Sequence, residues 1–322
     1  FLAAVFPAAA ASAQQRTATA AAPAARDLSN YGVRVEPDKR VMIVLATIEA
    51  ARTTDADGNA TRVINTPLSP AGEKFREQLA SDMAELNPEL RTRITQFLTL
   101  YKKRNPNKTD AELVAPFISM AYALTPAPEL ADPIVTTDLP GSLLDVLDFA
   151  PLVRDFYRRS SFSGNIEEYA KTYRQAADET LRPTAGEMVG ELLGYLHTRP
   201  ELYFTERVKV EAQRSKRTKL QTVETRARER RFLIVPELLA PVGTVNFLNI
   251  KDDYFVIIPP NTDLNFSEAR RAYLQFVIDP IILANSKEVA TIRDGVRKLL
   301  ADLRAADANV SPDVYLTISR SL

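Results

Sequence analysis

The chain has no cysteine and only one histidine, and these two absences exclude several kinds of chemistry. Without a thiol it can form no disulfide, no thiolate metal site and no cysteine nucleophile. With His197 as its one imidazole, it cannot supply the two histidines of an HExxH zinc site. His197 precedes Pro200 at a predicted helix end, which indicates a helix-terminal or packed histidine. A catalytic triad that uses it stays formally open, although no G-x-S-x-G turn presents a nucleophile.

Glycine motifs that cradle phosphate are also missing. The ten glycines are scattered, and neither GxGxxG nor GxxxxGK[ST] occurs. We therefore expect no ATP, NAD or FAD, and no cofactor of another kind. Because 41 basic and 41 acidic residues balance, the net charge gives no reason to expect nucleic acid as a partner. A length of 322 residues, 45% of them hydrophobic, is enough for one large folded domain or two ordinary ones.

The first residues have the composition of an export signal. Phe1–Ala11 is a short apolar run, and Ala11-Ser12-Ala13 is the small-x-small pattern of a cleavage site. We interpret residues 1–13 as the remainder of a signal peptide and residues 14–30 as a disordered linker. The apolar run is too short to cross a bilayer. The sequence therefore predicts a periplasmic or extracellular protein without a transmembrane segment in the mature chain.

Residues 31–199 predict a mainly helical subdomain. Apolar residues recur at the i, i+3, i+4 spacing in several segments, the first of which has Pro37 in its predicted first turn. Thr109 and Glu112 predict a capping box at a later helix start. A helix around residues 143–157 should break or kink near Pro151. Two further helices are predicted, one through Tyr173 and a separate one over residues 185–197.

After Pro200 the hydrophobic period changes from about 3.6 to 2, which is typical of strands. Residues 200–306 predict a small antiparallel sheet followed by closing helices, and residues 307–322 predict the start of a further helical segment. The last closing helix carries an apolar series, namely Val289, Ile292, Val296, Leu299 and Leu303. The predicted fold class is therefore α+β, with a helical first part, a small sheet and helices at the end.

The long first pair of strands is rich in basic residues. We take the following as a possible interaction surface: Arg214, Lys216, Arg217, Lys219, Arg226, Arg228 and Arg230. As function, this surface would dock an acidic protein, a polyanionic envelope polymer or lipid headgroups, so association with a membrane surface stays open. As structure, the charges would keep an exposed hairpin from pairing with other chains. No aromatic residues alternate with the charges, which argues against stacking on single-stranded nucleic acid.

Acidic residues leave one enzymatic alternative open. A hydrolase of envelope glycan or peptide needs two carboxyl groups on opposite sides of a cleft, and sequence spacing does not report that separation. Three groups of acids are candidates, namely Glu167 with Glu168, Asp145 with Asp148, and Asp252 with Asp253. Each is also typical of a solvated helix face or a turn.

The segment from Asp263 to Pro280 resembles the active-site helix of a family of bacterial gluzincin-like metallopeptidases. In that family an HExxH helix continues into an aromatic-Val-Asn-Pro-like ending, which Phe276-Val277-Ile278-Asp279-Pro280 resembles. The strand segments 232–236 and 254–259 resemble the sheet before that helix, and residues 35–41 resemble the entry to the first helix of the family. The resemblance covers most of residues 31–305 and implies a zincin-like architecture.

The three functional positions of that motif are replaced in this chain. Arg271 stands at the first zinc-binding histidine, Ala272 at the catalytic glutamate and Gln275 at the second histidine. A guanidinium at such a position disfavours a metal cation. The resemblance thus implies a degenerate, non-catalytic domain. We expect it to act as a binding or scaffold protein for protein partners, for example as a subunit of an envelope assembly. An ordinary amphipathic helix with Arg270 and Arg271 on its exposed side explains the same residues without any ancestry.

Overall fold

The computed structural model describes residues 27–134, 141–215, 218–250, 252–265 and 268–306, with backbone alone over 206–224. The helices are α1 (Lys39–Glu49), α2 (Pro70–Asp82), α3 (Pro88–Arg104), α4 (Asp110–Ala123), α5 (Gly141–Leu147), α6 (Ala150–Arg159), α7 (Phe162–Leu196), α8 (Glu268–Ala284) and α9 (Ser286–Ala306). The strands are β1 (Val33–Val35), β2 (Arg52–Thr54), β3 (Ala60–Arg62), β4 (Tyr203–Ser215), β5 (Thr218–Glu229), β6 (Arg231–Pro236), β7 (Asn246–Ile250) and β8 (Asp253–Ile258). The predicted α+β class is confirmed.

The beginning of the fold differs slightly from the prediction. A short 3-10 helix, Leu28–Tyr31, precedes β1, and the Asp27 side chain caps it by accepting from the Ser29 amide at 3.1 Å. Residues 27–30, the last part of the predicted linker, are therefore structured, and the prediction of disorder is wrong for them. Residues 14–26 of that linker lie outside the described residues. The predicted signal peptide and the predicted segment 307–322 lie outside the described residues.

The main sheet has four strands in the order β1-β6-β8-β7. Strands β1, β6 and β8 are parallel to one another, and only β7 runs antiparallel, against β8. The prediction of an antiparallel sheet is therefore wrong for its central strands. The helices between β1 and β6 form the crossover that parallel neighbours require. The central strands are buried on both faces, which explains their unbroken apolar sequence.

Two hydrophobic cores lie on opposite faces of this sheet. The first core contains Leu233, Val235, Phe255 and Ile257 from the sheet, and helices α1 to α6 with the first half of α7 pack on it. The second core contains Phe232, Ile234, Tyr254, Val256 and Ile258, covered by the second half of α7 and by α8. Alternate residues of β6 and β8 thus belong to different cores, as the period of a strand requires.

Side-chain caps set the starts of the early helices. Asp38, Ser69, Asn87 and Thr109 each accept a hydrogen bond from a backbone amide of the first turn. The predicted capping box is confirmed, because Glu112 also accepts from the Thr109 amide at 2.7 Å. Pro37, in contrast, precedes the cap Asp38 and does not lie in the first turn of α1.

Helix α7 is a single helix of 35 residues where two were predicted. Pro183 lies inside it, although proline removes a helical hydrogen bond and usually kinks or ends a helix. Leu181 and Ala185, on either side of the proline, are both fully buried in the second core. Tertiary packing therefore holds the helix together across Pro183. The predicted break near Pro151 is confirmed, since α5 ends at Leu147 and α6 begins at Ala150.

Two hairpins stand apart from the main sheet. Strands β2 and β3, which the sequence analysis missed, form a small hairpin around a turn at Asp55. Strands β4 and β5 pair antiparallel along nearly their whole length, as predicted for the charged strands. The other described helices and strands make few contacts with this long hairpin. It is therefore attached to the body mainly at its base, where the Arg230 amide donates to the Leu202 carbonyl at 2.8 Å.

Candidate functional site: a charged groove beside strand β1

A large groove lies between the start of the fold and helix α7. Its volume is about 1220 Å³. One wall consists of residues from the 3-10 helix and β1, and the other consists of residues 174–191 of α7. The floor includes the buried residues Val33 and Val35 of β1. The groove is therefore bounded by the edge strand of the sheet and one side of a long helix.

The wall formed by α7 follows from the spacing of its residues. Arg174, Asp178, Arg182, Gly186 and Gly190 are each four positions apart, so they lie along one side of the helix. The two glycines have no side chain to fill the space. A Cβ added at Gly186 would meet no atom within 4 Å. Glycine at position 186 therefore leaves open space on this side of the helix.

Charges of both signs line the groove. Its acidic residues are Asp27, Glu36, Asp178, Glu187 and Glu191, and its basic residues are Arg34, Arg174 and Arg182. Several of them are held in ion pairs, such as Arg182 with Asp178 on the same helix face. Glu191 pairs with Arg270 of α8 at 3.1 Å, and Arg34 pairs with Glu229 at 2.9 Å. The lining is thus polar and mixed in sign, with acids in the majority.

Strand β1 presents its outer edge to this groove. The Phe232 amide donates to the Gly32 carbonyl at 2.7 Å, and the Glu36 amide donates to the Ile234 carbonyl at 3.1 Å. Because residues alternate between the two sides of a strand, Val35 directs its peptide groups away from β6. Its carbonyl accepts from the Arg182 guanidinium at 2.9 Å. An arginine of α7 therefore occupies a position on the sheet edge where a neighbouring strand would donate.

The three positions of the degenerate metallopeptidase motif lie on α8, outside the groove. Arg271 is exposed and pairs with Glu268 at 3.4 Å, Ala272 is buried in the second core, and Gln275 is half-buried. The groove lining includes none of the three. Arg270, next to Arg271, reaches Glu191 on the rim of the groove. The helix thus places its three motif residues in different environments, and none of them lines the groove.

The residues of the predicted basic surface do not share one environment in the structure. The side chains of Arg214, Lys216, Arg217 and Lys219 lie outside the described residues. Arg226 is exposed, and Arg228 pairs with Asp252 at 2.7 Å. Arg230 differs from the prediction of an exposed residue, since it retains 6% of its accessible surface. Its guanidinium lies 4.6 Å from the centre of the Phe276 ring and donates to the Glu201 and Phe276 carbonyls at 2.9 Å each.

The structure places His197 and the predicted acidic pairs at a helix end, in ion pairs or on the surface. His197 caps the end of α7 in a left-handed conformation with φ of 50°, as expected of a helix-terminal residue. Glu167 pairs with Lys39, and Asp253 pairs with Arg231. Asp145 and Asp148 are exposed on and just after α5. Within the described part of the chain, no group of three or more His, Asp or Glu side chains is arranged to hold a metal ion.

Sequence reasoning missed a buried carboxyl at the carboxyl end of β6. Glu237 is fully buried, and one of its oxygens accepts from the Tyr173 hydroxyl at 2.6 Å and from the Leu239 amide at 3.1 Å. Burial raises the pKa of Glu237 to about 7, against the opposing effect of those hydrogen bonds. Tyr173 is 64 residues away in the sequence, so no local pattern announces this contact.

One sequence pattern could have indicated the groove, namely a series of glycines in α7. Gly186, Gly190 and Gly194 recur every fourth residue within a helical segment, where glycine is unfavourable. Such a series on a helix indicates a close approach or an open surface along one side.

Comparison with known proteins gives no independent indication of function. No family model, no curated protein and no solved structure matches the chain. None of the helices in the described ranges is both long and apolar enough to cross a membrane. The candidate function must therefore be argued from the geometry of the groove.

Proposed function

We propose that this chain is an exported, non-catalytic binding or scaffold protein, and that the groove beside β1 holds an extended segment of a protein partner. The observation that carries the proposal is the groove itself. A volume of about 1220 Å³ exceeds the roughly 300 to 1,000 Å³ of most small-molecule sites. Residues 174–191 of its helical wall span roughly 26 Å, which about eight residues of extended peptide would cover.

The charges of the groove favour a polypeptide over a polyanion. Five acidic residues and three arginines line it, so a uniformly negative polymer would meet net repulsion. A peptide can offer backbone donors and acceptors together with side chains of both signs. We expect its bound segment to carry at least one basic residue that faces Glu187 or Glu36, because acids are in the majority. Apart from the Val35 carbonyl, which accepts from Arg182, the edge of β1 adds a second means of recognition, since bound peptides commonly hydrogen-bond along a sheet edge.

The degenerate motif supports the absence of catalysis. If α8 descends from a gluzincin-like active-site helix, Arg271, Ala272 and Gln275 remove both metal ligands and the glutamate base. In that case the fold kept a binding role after its chemistry was lost. Export to the periplasm or cell exterior belongs to the same proposal and is supported by the signal-like composition of residues 1–13.

A carboxylate-dependent hydrolase of glycan or peptide remains the second candidate, because five carboxylates line the groove. Asp178 and Glu191 are already paired with Arg182 and Arg270. A hydrolase needs one carboxyl group free to donate a proton to the leaving group. The paired acids suit recognition of a ligand better than proton transfer.

The Gly186→Leu variant tests the proposal. A leucine there fills the groove but fits the helix, because a Cβ at Gly186 contacts nothing within 4 Å and leucine favours helix more than glycine does. Peptides selected from a random display library by the unmodified chain should bind this variant at least roughly tenfold more weakly, as measured by fluorescence anisotropy.

Gly164→Leu is the matched control. Gly164 is also on α7 with no atom within 4 Å of an added Cβ, but it lies outside the groove. This variant should bind the selected peptides like the unmodified chain. Equal binding by both variants, or failure to select any peptide, would overturn the proposal. Hydrolysis of the selected peptides would instead favour the second candidate.

A further inference from the structure

Helix α9 carries an apolar series with the spacing of a coiled coil. Val289, Ile292, Val296, Leu299 and Leu303 follow one another at intervals of three, four, three and four residues. This is the a and d pattern of a heptad repeat, with valine at the first two a positions and isoleucine or leucine at d. Such a combination is typical of two-stranded parallel coiled coils. We call these five residues the α9 seam.

The rest of the described structure covers the seam only in part: Val289 and Val296 are half-buried, and the other three residues are exposed. Ile292 retains 55% of its accessible surface, Leu299 58% and Leu303 42%. Leu300, beside the seam, is buried, whereas nearly all of the other described residues of α9 are exposed. Among the described elements the helix packs mainly against α8. Apolar residues scattered singly on a surface need no explanation. Here they form one continuous line on a helix of 21 residues, roughly 31 Å long.

We propose that the α9 seam pairs with the same seam of a second copy of this chain, in a parallel two-stranded coiled coil. The heptad pattern carries this choice of occupant, because knobs-into-holes packing requires the same a and d repeat on the partner helix. A second copy meets that requirement without further assumptions. The proposal is independent of the peptide-binding groove, which involves none of these residues.

Charged residues on the flanks of the seam favour a parallel over an antiparallel arrangement of the two α9 helices. Glu288 and Asp302 occupy g positions, and both are exposed. In an antiparallel pair centred on Val296, g residues of the two helices would face each other and bring Glu288 near Asp302 of the partner. In a parallel pair, g residues face e residues instead. Lys287, Arg297, Lys298 and Arg304 lie at b, c and f positions, away from the partner.

Sedimentation velocity of the whole chain over a wide concentration range tests the association. We expect a reversible dimer, and the double variant Ile292→Glu/Leu299→Glu should weaken its dissociation constant by roughly a hundredfold or more. The matched control is Ala290→Glu/Ala301→Glu, which adds the same charge at exposed b and f positions of the same helix. The control should dimerise like the unmodified chain, and both variants should keep its thermal unfolding temperature at low concentration.

The absence of cysteine permits a direct test of orientation. A chain with Ile292→Cys should form disulfide-linked dimers with itself on mild oxidation, because d positions of a parallel pair face each other. Lys298→Cys, on the outer side of the helix, should not. A monomeric chain at every concentration would overturn the proposal, as would equal loss of association in the seam and control variants. An Ile292→Cys chain that fails to cross-link while the chain dimerises would overturn the parallel arrangement.

Discussion

Glu237 is the residue whose surroundings depart most from those of an ordinary surface carboxyl. Its second oxygen is buried and has no hydrogen-bond partner among the described residues. A buried carboxylate without full compensation is disfavoured relative to the neutral acid. This explains why the pKa of Glu237 lies near 7 although the Tyr173 hydroxyl and the Leu239 amide favour its ionised form.

The raised pKa of Glu237 makes folding stability depend on pH. The unfolded chain releases this proton near pH 4.5, while the folded chain keeps it to about pH 7. Stability should therefore be greatest below pH 4.5 as far as this group is concerned, and it should fall by about 3 kcal/mol as the pH rises to 7. Glu237→Gln should remove this loss, because glutamine stays neutral and can still accept from Tyr173.

Urea unfolding of both chains at pH 5 and pH 8 measures the difference. Glu77→Gln is the control, since it makes the same substitution at an exposed position of α2 and should not reproduce the effect of Glu237→Gln. An identical pH dependence in the unmodified chain and Glu237→Gln would contradict the prediction.

Elements of this protein were predictable where local signals decide them. Thr109 and Glu112 sit three residues apart before an apolar repeat, and the capping box formed as expected. The break near Pro151 was also predictable from a local signal, the proline itself. Helix α7 was not predictable in this way, because the burial of Leu181 and Ala185 outweighs the local effect of Pro183.

Strand direction needed information that no single segment contains. Residues 231–236 and 253–258 alternate little between apolar and polar, which indicates burial on both faces and would have favoured a parallel sheet. Strand β1, with three residues, is too short to recognise. The groove depends on β1 and α7 together, so its position could not be read from either element alone.

The contact between the long hairpin and helix α8 depends on Arg230, and its contribution to stability can be tested. Arg230 connects the base of the long hairpin to α8 through the Phe276 ring and the Phe276 carbonyl, and it also donates to the Glu201 carbonyl at the hairpin base. Arg230→Ala should lower the free energy of unfolding by about 3 kcal/mol, because it takes a donor from the buried Phe276 carbonyl and removes packing against the Phe276 ring. Arg271→Ala, on the exposed side of the same helix, should stay within about 0.5 kcal/mol of the unmodified chain. Denaturant unfolding compares the two, and equal losses would contradict the assigned roles.

At the scale of the whole described fold, the two cores share structural elements. Helix α7 contributes Tyr173 to the first core and Leu181 to the second, and strands β6 and β8 contribute alternate residues to both. Unfolding either core would expose apolar residues on elements that the other core needs. The two should therefore unfold together.

Phe117→Ala tests this coupling, because Phe117 is fully buried in the first core and its truncation should cost about 4 kcal/mol. Hydrogen exchange followed by mass spectrometry should show faster exchange in α8, which contacts only the second core, by the same factor as in α4. Faster exchange confined to α4 and its neighbours would mean that the cores open separately.

The long hairpin of β4 and β5 has a mechanical consequence. Its first strand of 13 residues is roughly 40 Å long, and the ribbon is tied to the body at one end. The pairing of its two strands fixes the distance between the base and the outer part of the described ribbon. A partner bound near the outer end would therefore be held roughly 40 Å from the body.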